Sequence, residues 1–169
     1  MNDVPGADVA APPVLDAHAR EVEELVAQLT VDEKLRMLAG DLPVRDVVHM
    51  GRHYNERPYV AAAVPRLGLE GICFTDGPRG VVIGRSTEFP VAMARAATFD
   101  PDLEERIGDA IGVEARAQGA NLFAGVCVNL LRHPAWGRAQ ETYGEDTHLL
   151  GEMGAALVRG AQRHVMACV

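Results

Sequence analysis

Three short and almost wholly apolar segments constrain the fold of this chain most strongly. They read GICFT over 71–75, NLFAGVCVNLL over 121–131 and HVMACV over 164–169. Strands that are covered on both faces carry such continuous apolar runs, whereas a strand with one solvated face alternates apolar and polar residues. The three segments therefore predict buried strands in a mostly parallel sheet.

Helices are predicted before and between these strands, because apolar residues recur there at helical spacing. They cover residues 16–29, 30–40 and 100–118, and a stretch that runs from near Asp146 to Ala161. Thr30 with Glu33 fits a capping box, and Asp100 is placed to cap the helix that follows it. The order helix, strand, helix, strand, helix, strand favours an α/β fold with parallel strands and helical crossovers.

Charge and hydropathy narrow the range of partners. The formal net charge is −8, and such a surface repels a polyanion, which argues against nucleic acid. No run of 18 apolar residues occurs, so we expect no membrane-spanning helix. The first 20 residues lack the basic start and apolar block of a secretory signal, which favours the cytoplasm. We interpret residues 1–14 as a flexible lead-in to a domain over 15–169.

The cysteines predict no cofactor or metal. Cys73, Cys127 and Cys168 each lie in an apolar run. Their odd number and wide spacing predict reduced thiols in the core. A metal site needs a denser cluster of ligands than these cysteines and the six histidines provide, and no glycine-rich phosphate loop follows either of the first two strands.

Polar residues are concentrated just after the first two predicted strands. Asp76 follows the first strand, and the second is followed by Asn129, Arg132, Trp136, Arg138 and Glu141. Ligands bind beyond this end of the strands in α/β barrels and in open parallel sheets. A carboxylate accepts hydrogen bonds from hydroxyl groups, and a guanidinium donates them in a planar fork. The pattern therefore favours a small polyol such as a sugar.

Each of these residues has a second interpretation that spacing alone leaves open. Asp76 in the TDGP segment is also a common turn residue. Arg138 and Glu141 are spaced to pair with each other and hold a loop. Trp136 fits loop packing as well as it fits stacking on a sugar ring. The acids at 145–146 are interpreted as the cap of the next helix.

Three longer segments resemble a known family. They read VPRLGLEGICFTDGPRGV, FPVAMARAATFDPDLEERIGDAIGVEARAQG and VNLLRHPAWGRAQETYGED. Their order and spacing are similar to those in the N-terminal barrel domain of glycoside hydrolase family 3, the β-glucosidase-like enzymes. The resemblance runs from about Leu25 to Val169. It implies an α/β fold that contains roughly the first half of a (β/α)8 TIM-like barrel, and a retaining mechanism on β-linked glucosides or related sugars.

The resemblance also implies roles for single residues. Asp76 matches the aspartate that holds hydroxyls of the terminal sugar, and Arg138 matches an arginine that lines the same subsite. Arg132 matches an arginine that supports this loop. Some members carry a further arginine six residues after the aspartate, where this chain has Val82, and the resemblance leaves open whether Arg85 replaces it.

No catalytic residue is expected within this chain. A retaining glycosidase needs two carboxyl groups about 5–5.5 Å apart, and family members supply the nucleophile and the acid/base beyond the point that matches Val169. A Lys-His pair that also binds the sugar follows there too. We therefore expect a fragment of a glycoside hydrolase that carries part of the sugar-binding subsite. The alternative is a stand-alone, non-catalytic carbohydrate-binding or interaction module.

Overall fold

The computed structural model describes residues 13–39, 45, 48, 51, 53 and 55–168. The helices in this part of the chain are α1 (Pro13–Gln28), α2 (Val31–Ala39), α3 (Ala92–Ala96), α4 (Pro101–Ala117) and α5 (Thr147–Ala161). The strands are β1 (Tyr59–Ala61), β2 (Ile72–Thr75), β3 (Leu122–Phe123) and β4 (Met166–Ala167). Two short 3-10 helices cover Pro65–Leu67 and Ala139–Glu141. The predicted lead-in lies almost wholly outside the described residues, as does the predicted helix stop at Gly40.

The strands form one sheet in the order β1-β2-β3-β4. Phe74 of β2 pairs with Leu122 of β3, and Leu122 pairs with Met166 of β4, in both cases parallel. The predicted parallel strands are thus confirmed. β1 runs antiparallel to β2 and was not predicted, so the fold is α/β with a mixed sheet. The sheet is not closed in the described residues, and the predicted partial barrel is therefore not confirmed.

The strands are shorter than their apolar segments predict. The segment 121–131 pairs as a strand only over Leu122–Phe123. The last bond between β2 and the chain after β3 runs from the Ala124 N–H to the Thr75 carbonyl, at 2.8 Å. Since β2 turns away after Thr75, the rest of the segment has no strand to pair with on that side within the described residues. An apolar run thus indicates burial but does not fix the length of the ladder.

Burial of the strands is also uneven. Phe123 is fully buried, whereas Ile72 is 40% exposed and Met166 is 51% exposed. The prediction of buried strands therefore holds at the centre of the sheet and is wrong for these two side chains. Among the cysteines, Cys127 is buried but Cys168 is exposed, so the prediction of core thiols is wrong for Cys168, which follows the edge strand β4.

The predicted helix caps are confirmed. The Thr30 N–H donates to Glu33 Oε2 at 2.8 Å, and the Glu33 N–H donates to Thr30 Oγ1 at 3.2 Å. Asp100 and Asp146 cap α4 and α5, each through the backbone N–H three residues further on, at 2.9 and 2.7 Å. Capping satisfies N–H groups that the first helical turn leaves without a partner. These boundaries were predictable because they depend on local residues alone.

The core lies where α4 and α5 pack against each other and against the sheet. Its most buried members include Ile111 on α4 and Leu157 on α5, which are at most 1% exposed. Gly112 permits the close approach, since a Cβ there would lie 2.8 Å from the Ala161 carbonyl oxygen. By contrast, the stripe predicted for α1 is not buried, because its valines at 22 and 26 are 54% and 44% exposed.

Candidate functional site

Asp76 directly follows β2 and forms a turn through its backbone. Its carbonyl accepts a hydrogen bond from the Val82 N–H at 3.2 Å. Gly77 is required next, because its φ is +125° and a Cβ there would lie 2.7 Å from a Val82 methyl carbon. The Asp76 side chain is exposed. Its carboxylate makes no hydrogen bond or ion pair within the described residues, so it is available to a ligand.

Arg138 lies at the start of the second 3-10 helix, after β3. Its Nε and Nη2 donate to Glu141 Oε2, at 2.9 and 2.5 Å. The Arg138 side chain is 63% exposed, and that of Glu141 is 19% exposed. The two residues therefore pair with each other, as their spacing allows. The pair still leaves Nη1 of Arg138 without a hydrogen-bond partner in the described part of the chain.

Asp76 and Arg138 act on each other electrostatically. The pKa of the Arg138 guanidinium is raised above its ordinary value, chiefly by its hydrogen bond to Glu141 and the charge of that residue. Cys127 and Asp76 add smaller contributions in the same direction. The loops that carry these two residues also meet in space, because residues that follow Asp76 and residues that follow Arg138 line the same cleft.

A cleft of about 430 Å³ lies between these two loops. Its lining includes residues 77–82 on one side and Gln140 with Glu141 on the other. Val82 forms part of this lining, whereas Asp76, Arg138 and Arg85 do not, although each lies within three residues of a lining residue. The Arg85 carbonyl accepts a hydrogen bond from Gln118 Nε2 at 2.9 Å, which fastens this part of the loop to the end of α4.

Arg132 is located in a different cleft, of about 350 Å³. Its lining consists of Asn129, Leu130, Arg132, His133 and Trp136. No hydrogen bond or ion pair joins Arg132 to Asp76 or to Arg138 in the described part of the chain. The predicted set thus divides in two: Asp76 with Arg138, and Arg132 with the half-buried Trp136.

Behind the site lies a polar cluster that the sequence interpretation did not identify. Arg95 on α3 donates from Nε to both carboxylate oxygens of Glu104, at 3.1 and 2.9 Å. The two side chains are 2% and 0% exposed. Tyr143 donates from its hydroxyl to Glu104 Oε1 at 2.6 Å. The spacing of Glu104 from Ile107 and Ile111, three and seven residues, places it on the buried face of α4 and was the signal available in the sequence.

Other kinds of site are not found in the described residues. No group of three or more histidine, cysteine, aspartate or glutamate side chains there is arranged to hold a metal ion. Nor does the described part contain a helix that is long and apolar enough to cross a bilayer.

The fold and the site define an α/β domain that presents a carboxylate and a guanidinium beyond the ends of parallel strands. The sequence profile of the glycosyl hydrolase family 3 N terminal domain matches residues 16–169. The chain therefore belongs to glycosyl hydrolase family 3.

Relatives in this family are named as β-glucosidases. β-Glucosidase 2 of Saccharomycopsis fibuligera is 35% identical over 157 residues, and a β-glucosidase of Rhizobium radiobacter is 32% identical over 153 residues. These matches cover 91% and 86% of this chain, but only 17% of each relative.

The fold likewise matches solved structures of this kind. β-Glucosidase 3B from Thermotoga neapolitana, solved in complex with α-D-glucose, superposes with a TM-score of 0.76 at 32% identity. The match covers 88% of this chain and 22% of that one. The chain thus spans about a fifth or less of the length of these relatives.

Proposed function

We propose that this chain forms the part of a β-glucosidase-like enzyme that holds the terminal sugar of a β-linked glucoside or related substrate. Asp76 and Arg138 are the groups that bind the sugar. The observation that carries the proposal is geometric: residues 77–82 next to Asp76 and residues 140–141 next to Arg138 line one cleft, and the Asp76 carboxylate makes no hydrogen bond within the described residues. The open mixed sheet is, in this proposal, the first part of a (β/α)8 barrel.

The two groups supply complementary hydrogen bonds to a polyol. Asp76 accepts from hydroxyl groups, and Arg138 donates from Nη1 to a hydroxyl oxygen. Glu141 fixes the guanidinium through two bonds, which reduces the conformational entropy that ligand binding would otherwise remove. Hydrogen bonds to charged groups contribute about 1.5–3 kcal/mol each.

Arg132 and Trp136 have a supporting role in this proposal. They share the second cleft with Asn129, whose carbonyl accepts a hydrogen bond from the Thr142 hydroxyl at 2.8 Å. This bond ties the chain after β3 to the loop that follows Arg138. In this proposal Arg132 supports the loop that carries Arg138, as the family resemblance implies, and the half-buried Trp136 lines the same cleft.

Bond cleavage is not assigned to the residues of this site. Retaining hydrolysis uses two carboxyl groups on either side of the scissile bond. Glu141 is unsuited to either role, because one of its oxygens already accepts two bonds from Arg138. Asp76 is then left without a carboxylate partner among the groups that the site brings together. We expect the purified 169-residue chain to show no turnover of aryl β-glucosides above a mock purification, and turnover that Asp76→Ala abolishes would contradict this assignment.

Binding can be tested directly by titrating the isotope-labelled 169-residue chain with glucose and following its amide resonances. Asp76→Asn and Arg138→Ala should each weaken binding about tenfold or more, because each removes hydrogen bonds to a charged group. The matched controls are Asp102→Asn, in the exposed first turn of α4, and Arg159→Ala, which removes an exposed arginine paired with Glu105. Equal affinities in all five proteins would refute the proposed site.

The same titration separates the proposal from a stand-alone carbohydrate-binding module. Asp76 and Arg138 both lie within this chain, so a stand-alone module could also use them to bind a sugar. A module that serves binding alone should hold glucose much more tightly than a partial subsite does, and each tenfold difference in affinity corresponds to about 1.4 kcal/mol.

A further inference from the structure

The most buried charged pair in the described residues, Arg95 with Glu104, does not face the proposed site, yet it contacts both loops that form it. The guanidinium of Arg95 is 2% exposed. Its Nε donates to Glu104, and its Nη1 donates to the carbonyls of Pro78 and Pro90, at 2.9 and 2.7 Å. Pro78 is two residues after Asp76, so one bond of Arg95 holds the loop that carries the proposed sugar-binding carboxylate.

The second connection runs through Glu104 to the other loop. Tyr143 is 3% exposed and donates its hydroxyl to Glu104 at 2.6 Å. Its ring lies beside Arg95, with 5.8 Å between the ring centroid and the guanidinium carbon. Burial, followed by the charge of Glu104, raises the pKa of Tyr143, so the hydroxyl keeps its proton at neutral pH. Tyr143 is two residues after Glu141, which in turn holds Arg138.

The chemistry of this cluster indicates a geometric role. Two charges are expensive to remove from water, and a well-packed apolar pair is often at least as stable. Even here, Nη2 of Arg95 is buried without a hydrogen-bond partner in the described part of the chain. A planar guanidinium, however, reaches a carboxylate and loop carbonyls at the same time, which neither an apolar side chain nor a lysine can do.

We infer that Arg95, Glu104 and Tyr143 are positioning residues that fix the Asp76 loop and the Arg138 loop relative to each other, so that sugar affinity depends on a cluster that the sugar does not touch. This inference rests on the proposed function. Removing one hydrogen bond of the cluster should loosen the relative placement of the two loops. Sugar affinity should then fall even in a fully folded protein.

Tyr143→Phe is the sharpest test, because it removes one hydroxyl and leaves the ring in place. Arg95→Lys is the second variant, which keeps the charge but loses the planar fork. Glu105→Gln is the control: it removes an ion pair with Arg159 one position along the same helix, outside the cluster. All three variants are made in the 169-residue chain, and each is measured for glucose binding well below its own melting temperature.

Two measurements separate positioning from stability. The first is the affinity for glucose, which should fall about fivefold or more in Tyr143→Phe and in Arg95→Lys, since each loses a bond to a charged group. The second is the ¹⁵N resonance of the Arg138 Nε–H without sugar, which should shift in both variants because the loop has moved. Glu105→Gln should change neither quantity, even where its melting temperature falls.

The outcomes distinguish this inference from the proposed function. If Tyr143→Phe and Arg95→Lys melt earlier but keep the wild-type affinity and Arg138 resonance, the cluster is only structural and the inference is overturned. The proposed function then still holds, provided that Asp76→Asn weakens binding. If the wild-type chain does not bind glucose, or if Asp76→Asn binds it equally well, both proposals fail.

Discussion

Two arginine–glutamate pairs in this molecule have similar bonds and opposite surroundings. Arg95 and Glu104 are 2% and 0% exposed, whereas Arg138 and Glu141 are 63% and 19% exposed. The buried guanidinium donates to Glu104 and to two carbonyls, of Pro78 and Pro90, in the segment between β2 and α3. Within the described residues, the exposed guanidinium donates only to Glu141 and keeps Nη1 free. Burial, rather than the geometry of the pair, therefore separates the residue that is inferred to position the loops from the residue that is proposed to bind the sugar.

The largest difference between the pairs should appear in stability. Glu104→Gln leaves the Arg95 charge buried without its counterion, and we expect the free energy of unfolding to fall by about 3–5 kcal/mol. Glu141→Gln is the matched change in the exposed pair and should cost less than about 1 kcal/mol. Urea unfolding curves of the two variants give both values. Equal losses would remove the distinction between the pairs.

A smaller effect, on glucose affinity rather than on stability, is expected for Arg138→Lys. This change keeps the charge but loses the planar fork that contacts Glu141 and a ligand together. Glucose affinity should fall several-fold, by the loss of one hydrogen bond to a charged group. The free energy of unfolding should stay within about 0.5 kcal/mol of wild type, as for most exposed substitutions. A variant that unfolds much more easily and binds normally would show Arg138 to be a loop brace.

The smallest effect is expected in the pH dependence of stability, at a third pair, Arg66 with Glu33. Their side chains are 52% and 20% exposed. The hydrogen bond from Arg66, together with that from the Thr30 backbone, lowers the pKa of Glu33 from 4.5 to about 2. A carboxyl whose pKa is lower in the folded state contributes stability above its unfolded pKa and loses it as the pH falls through the folded value.

Melting temperatures measured from pH 7 to pH 2 test this pair. The difference between wild type and Glu33→Gln should be present above about pH 4.5 and should shrink as the pH falls towards 2. It should also shrink with added salt, because the pair is partly exposed. Asp32→Asn, one position earlier, is the control. A difference between wild type and Glu33→Gln that stays constant down to pH 2 would contradict the assigned cause.

Local features of the fold were predictable, whereas features that depend on distant partners were not. The caps at Asp100 and Asp146 follow from residues within one helical turn. β1 was missed, because its strand character depends on pairing with β2 and not on its own three residues. The segment 121–131 was predicted as one long strand for the same reason: the length of a strand depends on its neighbours, and the apolar run does not show where they end.

The candidate site shows the same division. Asp76 and Arg138 were predicted from their places after two strands and from the family resemblance, and neither source required contacts to be known. Arg95 and Glu104 were missed, because charged residues in helices usually face solvent. Their partners are carbonyls and a tyrosine that only the fold brings together. Arg132 illustrates the limit of position alone, since it follows the same strand as Arg138 but lies in another cleft.

A double-mutant cycle on Asp76 and Arg138 tests the central claim most directly. Glucose affinities of the wild type, Asp76→Asn, Arg138→Gln and the double variant are compared. If both groups bind one sugar, removing either group lets the sugar shift in the site. Removing the second group then costs less binding free energy than it does in the wild type. We expect a coupling energy between the two substitutions of about 0.5–3 kcal/mol. Losses that add to within about 0.3–0.5 kcal/mol would mean that the two groups act independently and would contradict the account.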